Sequence, residues 1–399
     1  MNILVLTKNK IYITPKSLTI DSILVYSPDA LFGIKWKEID ELSLVGFKSD
    51  EDFSGQKLVF PQTRVHLIGL DAAYEKREIS LAGRLKNALD FFFLIIRQRK
   101  ELQNVDVLIT AYFEYTAFML LAVRIANPRI KIINDVIGDY PLWNFQKRKS
   151  YIQKIYLIVH QYFSYLLSDD VWFISRFLFL RYPSRKGSVL YNSPLSEKQI
   201  GSPKKLSSPP KLLFVGRFSE EKCPDIPLLI LDQLRKDGYD AELCFVGSGP
   251  LEETIKTLTH SLGLDNKVTF MGRILDRERL FRIYGEYDFF IFPSLLGEAL
   301  GFVALEAMSQ GSVVLATTCG GVSEVIEDGK SGVLVPVEAE GQKINTAMAL
   351  AKRAEELISD PVKYGEISKR AVERSADFTI EKCGIVQRRH ILALLGKKV

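Results

Sequence analysis

Short apolar, β-branched runs alternate with longer stretches of helical periodicity along most of this 399-residue chain. Up to about residue 191 the strand-like runs are 3–6, 64–69, 105–110, 130–134, 170–174 and 188–191, with helical patterns between most of them. A second series follows, with strands predicted at 211–216, 241–246, 267–270, 288–292, 313–316 and 332–335 and helices at 225–236 and 250–262 among others. Alternation of this kind implies parallel sheets, and two series imply two doubly wound α/β domains. Between them, residues 193–210 (SPLSEKQIGSPKKLSSPP) have the composition of an interdomain linker. Residues 346–397 read as two or three helices with no further strand. The expected division is a first domain over 1–195 and a second over 196–375, with a terminal helix of about 376–399 packing back on the first.

Composition narrows the class. With 47% hydrophobic and 25% charged residues the chain is an ordinary water-soluble protein. The longest apolar stretches, such as 91–96 and 115–123, fall short of the roughly 18 residues that cross a bilayer. The N-terminal MNILVLTKNK reads as a first strand, because its apolar run is too short for a signal peptide and no small-residue cleavage site follows. Cys223, Cys244, Cys319 and Cys383 are widely spaced, with no CxxC and no histidine at ligand spacing, so neither a disulfide framework nor a metal site is expected, and a reducing cytoplasm fits best.

Charge is unevenly shared. Residues 1–200 carry 27 Lys/Arg against 20 Asp/Glu, whereas 201–399 carry 26 against 28, and the first half also holds 29 of the 43 aromatic residues. Bases bracket apolar residues around Arg84, Lys86, Phe91, Arg97, Arg99 and Lys100, and again where Lys147, Arg148 and Lys149 precede Tyr151, Tyr156, Tyr162 and Phe163. Two readings stay open: a basic-aromatic helix lying on an anionic membrane surface, or a core helix with solvated basic ends. No recognisable nucleic-acid module accompanies these bases, so a nucleic-acid partner is not expected.

The second half carries the chemistry. Arg217 and Lys222, in the order Val-Gly-Arg-Phe-Ser-Glu-Glu-Lys, leave the carboxyl end of the 211–216 strand, where two cations beside a helix N-terminus suit a diphosphate. The plainer alternative is a surface salt bridge to Glu220 or Glu221. Gly247 and Gly249 in Val-Gly-Ser-Gly-Pro form a tight strand-to-helix turn that lets a backbone approach a nucleotide. Gly216 precedes Arg217, and after the next strand Arg273 and Ile274 stand open to two readings, main-chain contact with a base edge or a purely structural segment. Glu298 sits in a glycine-bracketed loop and Glu306 about one turn into the following helix. Ala299, Leu300, Gly301, Phe302 and Val303 lie between them, with backbone donors at a helix N-terminus that favours an anion. Glu306 is embedded among Phe302, Val303, Leu305 and Met308, and a carboxylate so placed needs a partner.

Taken in order, Val215-Gly-Arg with Lys222, Val246-Gly-Ser-Gly-Pro, Val268-Thr-Phe-Met-Gly-Arg, Phe292-Pro-Ser, the E-x7-E pair, Gly320-Gly-Val-Ser-Glu and Gly332-Val-Leu-Val resemble the retaining glycosyltransferases of family 4. Upstream, Val189-Leu-Tyr-Asn is similar to that family's domain-closing strand. The resemblance implies the GT-B fold, two doubly wound Rossmann-like domains facing across a cleft. It also implies transfer of a hexose, with retention and without a metal, from a UDP- or GDP-linked sugar serving as co-substrate rather than cofactor. The implied catalytic residues are Arg217, Lys222 and Glu298: the two cations hold the diphosphate and Glu298 the transferred sugar, helped by main-chain groups of Gly301, Phe302 and Val303. Glu306 is implied to take the ribose, and Gly216, Gly247, Gly249, Arg273, Ile274, Ala299 and Leu300 complete the donor site.

The first half departs from the family. Thr7-Lys-Asn-Lys replaces a common Gly-Gly loop, and no histidine lies in Ile133-Asn-Asp-Val-Ile-Gly-Asp-Tyr-Pro, so Asn134, Asp135 and Asp139 are candidates either for the sugar contact or for a structural turn. Cys223 stands where a glycine is usual. The expected acceptor is a glycan or a lipid-linked glycan, and the expected location is cytoplasmic, peripheral on the membrane's inner face. A non-catalytic sugar-nucleotide-binding subunit and a GT-B epimerase are the competing readings. The first would be expected to lose Lys222 or a glutamate of the pair, and the second needs acid and base groups at the cleft.

Overall fold

The computed structural model describes residues 151–337 and 343–397 without interruption, residues 99–111 and 116–138, and positions 88–89, 92–93 and 95–97; within 2–70 it describes six strands as backbone. The chain divides into two compact units, Met1–Asn192 with Ile380–Val399, and Ser193–Thr379.

The first unit contains β1 (Asn2–Thr14), β2 (Ser17–Ile20), β3 (Ile23–Val25), β4 (Glu41–Phe47), β5 (Lys57–Phe60), β6 (Thr63–Leu70), β7 (Val107–Ala111), β8 (Lys131–Val136), β9 (Asp170–Phe173) and β10 (Gly187–Val189). Its sheet runs β10-β9-β8-β7-β1-β4-β6-β5 and is parallel except for the β5 edge, with β2 and β3 attached as antiparallel ribbons beyond β1. The first strand does not end at Leu6. It continues through Thr7–Lys10 with a register shift against β4, so these residues lie in a strand rather than in a loop. The strand β4 is absent from the hydrophobic pattern read above, because Glu41-Leu-Ser-Leu-Val alternates as a half-buried strand would, without a continuous apolar run. The terminal helix Ile380–Leu394 belongs to this unit, where Gln387 Nε2 donates to the Tyr191 carbonyl at 3.3 Å and His390 Nδ1 lies 3.5 Å from Asp170.

The second unit contains β11 (Lys211–Val215), β12 (Glu242–Val246), β13 (Val268–Phe270), β14 (Phe289–Phe292), β15 (Val313–Thr317) and β16 (Val333–Val335), all parallel, in the order β13-β12-β11-β14-β15-β16. The central strands β14 and β15 are buried at every position, as expected of a parallel sheet covered on both faces. Phe214, Phe218 and Phe245 pack with centroids 5.6 to 6.1 Å apart between this sheet and its helices. The chain fills β11, β12 and β13 in one direction and then returns to place β14 on the other side of β11. That reversal is a topological switch point, and it lies between β11 and β14.

Residues 193–210 are not a free linker. Gly201 N donates to the Ser309 carbonyl at 2.8 Å, and Lys204 Nζ reaches the Tyr287 carbonyl at 2.5 Å. Ser207 and the Lys211 amide both donate to the buried carboxylate of Asp288. A buried carboxylate requires donors, and this polar segment supplies them, so its composition reflects hydrogen bonding to the second unit.

Candidate active site

The loops that leave the carboxyl ends of β11, β12 and β13 are bonded to one another through their backbones. Gly216 N donates to Val246 O at 3.0 Å, Phe218 N to Ser248 O at 3.0 Å, Leu251 N to Phe218 O at 3.0 Å and Gly247 N to Gly272 O at 2.8 Å. The glycines of the β12 turn are required by this lacing. A Cβ on Gly247, whose φ is +140°, would stand 1.9 Å from the Gly216 carbonyl oxygen, and one on Gly249 would stand 2.4 Å from that of Phe218. The glycine turn therefore serves first to let two loops touch.

Arg217 is exposed at the end of this assembly, and Lys222 closes the 3-10 turn Glu220–Lys222 that follows. Cys223, next in line, adopts a left-handed backbone with φ +46°, which explains why a glycine suits this position. Its buried thiol, pushed up to about 11 by desolvation, is held in the protonated form. Lys222 does not pair with Glu220 or Glu221. Its ammonium forms an ion pair with Glu298 Oε1 and lies 5.7 Å from the Phe292 ring centroid. Because Lys222 follows β11 and Glu298 follows β14, this pair spans the switch point.

Glu298 is fixed at two further points, and one of its holders is itself anchored. Ser294 Oγ donates to the same carboxylate oxygen at 2.8 Å, Thr317 Oγ1 holds the Ser294 carbonyl at 2.5 Å, and the Glu298 carbonyl accepts from Gly321 N at 2.8 Å. Gly320, at φ +71°, must be a glycine here because a Cβ would stand 2.1 Å from the Glu298 carbonyl oxygen. Ala299 is half-buried and Leu300 buried beside it. Gly301 then enters the left-handed region at φ +90° as N-cap of the helix Phe302–Ser309. The amides of Phe302 and Val303 belong to the first turn and have no partner within their own helix. Arg273 is exposed and Ile274 half-buried in the loop after β13.

Glu306 lies deeper than Glu298. It is 2% exposed, with Oε1 2.5 Å from Arg277 Nη1 and Oε2 accepting from Tyr284 OH at 3.0 Å. Burial pushes its carboxyl above the usual range, while Arg277 and Tyr284 oppose that shift. The need for a partner was legible in the sequence; the partners were not. Both lie on the helix Arg277–Glu286, capped by the Asp276 carboxylate, where Arg277, Phe281 and Tyr284 share one face at i, i+4 and i+7. A cation on an otherwise apolar helical face is the signal that would have found Arg277. Ser294 and Thr317 carried no comparable signal.

In the first unit Asn134 is fully buried, its Nδ2 donating to Ser164 Oγ at 2.8 Å while its Oδ1 has no partner. It is committed to the interface of β8 with the helix Tyr151–Leu167. Asp135 is half-buried, and desolvation raises its carboxyl to about 7. Asp139 lies outside the described residues.

A parallel sheet with a laced, charged crevice at its switch point defines a doubly wound domain of the kind that binds ligands at its strands' carboxyl ends. Residues 196–374, nearly the whole of this second unit, match the family described as glycosyl transferases group 1. Among curated proteins, D-inositol 3-phosphate glycosyltransferase of Arthrobacter sp. is 31% identical over 200 residues, 47% of this chain and 45% of that protein. Alpha-D-kanosaminyltransferase of Streptomyces kanamyceticus is 28% identical over 177 residues, 44% of this chain and 42% of that protein. The chain thus spans less than half the length of these relatives. Among solved structures, sucrose-phosphate synthase from Thermosynechococcus elongatus superposes with a TM-score of 0.71 at 18% identity, covering 99% of both chains. Anabaena HepE, in complex with UDP and glucose, gives 0.67 at 18% identity, covering 98% of this chain and 99% of that one. The fold is the GT-B fold of these enzymes.

Proposed function

We propose that this protein transfers a hexose from a nucleotide sugar, UDP- or GDP-linked, to an acceptor hydroxyl, with retention at the anomeric carbon and without a metal. The observation that carries the reading is the Lys222–Glu298 ion pair across the β11/β14 switch point. Without donor, each group neutralises the other. When the donor enters, its diphosphate takes the ammonium of Lys222 and the exposed guanidinium of Arg217, and the sugar hydroxyls take the carboxylate of Glu298. Charge that grows on the departing diphosphate is met by these two cations and by the first-turn amides of Phe302 and Val303, which favours the transition state over the ground state.

The loops after β12 and β13 form the floor for the nucleotide, with Arg273 and Ile274 toward the base. Glu306 accepts from the ribose through the lone pairs that Arg277 and Tyr284 leave open. The relatives' names support a sugar-nucleotide donor, since the Anabaena structure holds UDP and glucose, whereas the reading of a glycan or lipid-linked acceptor rests on the basic, aromatic-rich first half of the chain.

The test is a screen of UDP-, GDP- and ADP-sugars by thermal shift, followed by product analysis with candidate acceptors. Stabilisation by one nucleotide class, acceptor-dependent release of that nucleotide in excess EDTA, and a product whose anomeric proton keeps the donor's configuration are expected. An isomerised sugar nucleotide formed without acceptor would overturn the transferase reading in favour of an epimerase.

A further inference from the structure

The helix Tyr151–Leu167 is built inside out. Ile155, Val159, Tyr162, Phe163 and Leu166, spaced i, i+4, i+7, i+8 and i+11, form one stripe and are all exposed, Val159 at 62% and Leu166 at 70%. The opposite face carries Leu157, His160, Gln161, Ser164 and Tyr165, all buried.

That rotation is locked. The Ala117 amide donates to His160 Nε2 at 3.2 Å and Asn134 Nδ2 donates to Ser164 Oγ at 2.8 Å, each bond joining this helix to a neighbouring element. Turning the helix to hide its stripe would break these bonds and leave buried polar groups without partners, so the outward apolar face is a fixed property of the fold. Contiguous exposed apolar surface of this kind marks an interaction site.

Charge identifies what covers it. Among the described side chains of 155–186 there are four bases, Arg176, Arg181, Arg185 and Lys186, and two acids, Asp169 and Asp170. Both acids are engaged internally, Asp169 with Arg124 Nη2 at 2.5 Å and Asp170 with the Trp172 indole at 2.9 Å. At the stripe's C-terminal end Lys186 Nζ reaches the carbonyls of Leu166 at 3.2 Å and Ser168 at 2.5 Å, with exposed Arg185 beside it. Beneath the stripe, the rings of Tyr162, Tyr165, Phe173 and Phe179 meet edge-on at 5.4 to 5.9 Å and tie this helix through the interior to the helix Arg176–Arg181, where Leu180 and Arg181 are exposed.

We infer that this stripe with its basic border is the surface by which the protein lies on an anionic lipid bilayer, the helix parallel to the membrane and its apolar side chains in the headgroup boundary. No described helix is long and apolar enough to cross a membrane, and this one has 17 residues. A second copy is a poorer occupant, because apposing two such surfaces brings like charges together, whereas an anionic headgroup layer complements them. The surface belongs to the first unit and stands independently of the proposed transferase activity.

The experiment is flotation of the full chain with phosphatidylglycerol-containing and pure phosphatidylcholine vesicles, without substrate. Wild type is expected to float with the anionic vesicles only and to be released at about 1 M salt, where the Debye length falls to about 3 Å. The Val159→Glu/Leu166→Glu double variant is expected to weaken binding by at least about tenfold, and Arg185→Glu, which lies off the helix, by about fivefold. Light scattering and circular dichroism accompany each variant, and Leu166→Gln alone replaces the double variant if the latter loses its folded spectrum. Equal binding to both vesicle types, no binding, or unchanged binding in the variants would overturn the inference. Conversion of a wild-type dimer to a monomer by the double variant, with flotation unaffected, would do so in favour of a second copy.

Discussion

The two units use the same parallel architecture in opposite ways. In the second, apolar side chains fill the interior and charge collects at the strand ends, where Lys222 and Glu298 meet across the switch point. In the first, the helix Tyr151–Leu167 turns His160, Gln161 and Ser164 inward and an apolar stripe outward, and Asn134 within β8 is consumed by packing. One unit concentrates its polar groups where a small ligand can reach them; the other uses them to hold a surface in place. Similar sheets do not imply similar sites, and the ends of the strands have to be read residue by residue.

The sharpest way to break the comparison is to remove charge from each strand end in turn. Arg217→Ala and Lys222→Ala are each expected to lower kcat by about 10²–10³, the usual effect of deleting a group that stabilises developing negative charge, whereas Asp135→Asn is expected to change it less than about tenfold. Steady-state nucleotide release measures all three, and equal losses in the two units would erase the distinction. A smaller effect is expected beneath the ribose side of the proposed site. Tyr284→Phe removes one donor from the Glu306 carboxylate and is expected to raise the donor KM by about tenfold with little change in kcat. A fall in kcat at constant KM would instead place Glu306 in the chemical step.

Stability against pH sharpens the contrast further. Asp135 is raised from 3.8 to about 7, so the folded state holds its proton more tightly than the unfolded one, and its contribution to stability falls as pH rises through that interval. His160 is lowered from 6.5 to about 4 by burial, so its contribution rises with pH across nearly the same interval. The two slopes oppose each other. Denaturant titrations of Asp135→Asn are expected to expose a stability that climbs from pH 4 to 6.5 by on the order of 2 kcal/mol, while His160→Gln is expected to expose a decline. Parallel changes in both variants would refute the opposition. The smallest effect is expected at Cys223→Gly, where relief of the left-handed backbone and loss of buried volume nearly cancel, within about 1 kcal/mol by thermal melting.

Legibility followed the same division. In the second unit strands such as Val313–Thr317 are continuous apolar runs, and the glycines and charges that follow them mark their carboxyl ends, so the strand ends could be read from order and spacing, while the roles assigned along them came from the resemblance. The ion pair could not, because it joins residues 76 apart and competing carboxylates stood one and two positions away from Lys222. The partner of Glu306 left only one trace, a cation at Arg277 on the otherwise apolar face of the helix Arg277–Glu286. The 193–210 segment misled because Ser, Pro and Lys have the same composition whether water or Asp288 satisfies them. In the first unit β4 alternates too gently to stand out, and the inverted helix has ordinary amphipathic periodicity whose orientation only its hydrogen bonds reveal.

The lacing of Gly216, Gly247 and Gly272 bears on how such a domain diversifies. With three loops tied by main-chain bonds and two glycines admitting no side chain, the crevice floor tolerates almost no drift in shape. In the proposed reading, a lineage can change which base or sugar it accepts by exchanging outward side chains such as Arg273 and Ile274 while the frame stays constant. That separates inheritance of the reaction from inheritance of the substrate.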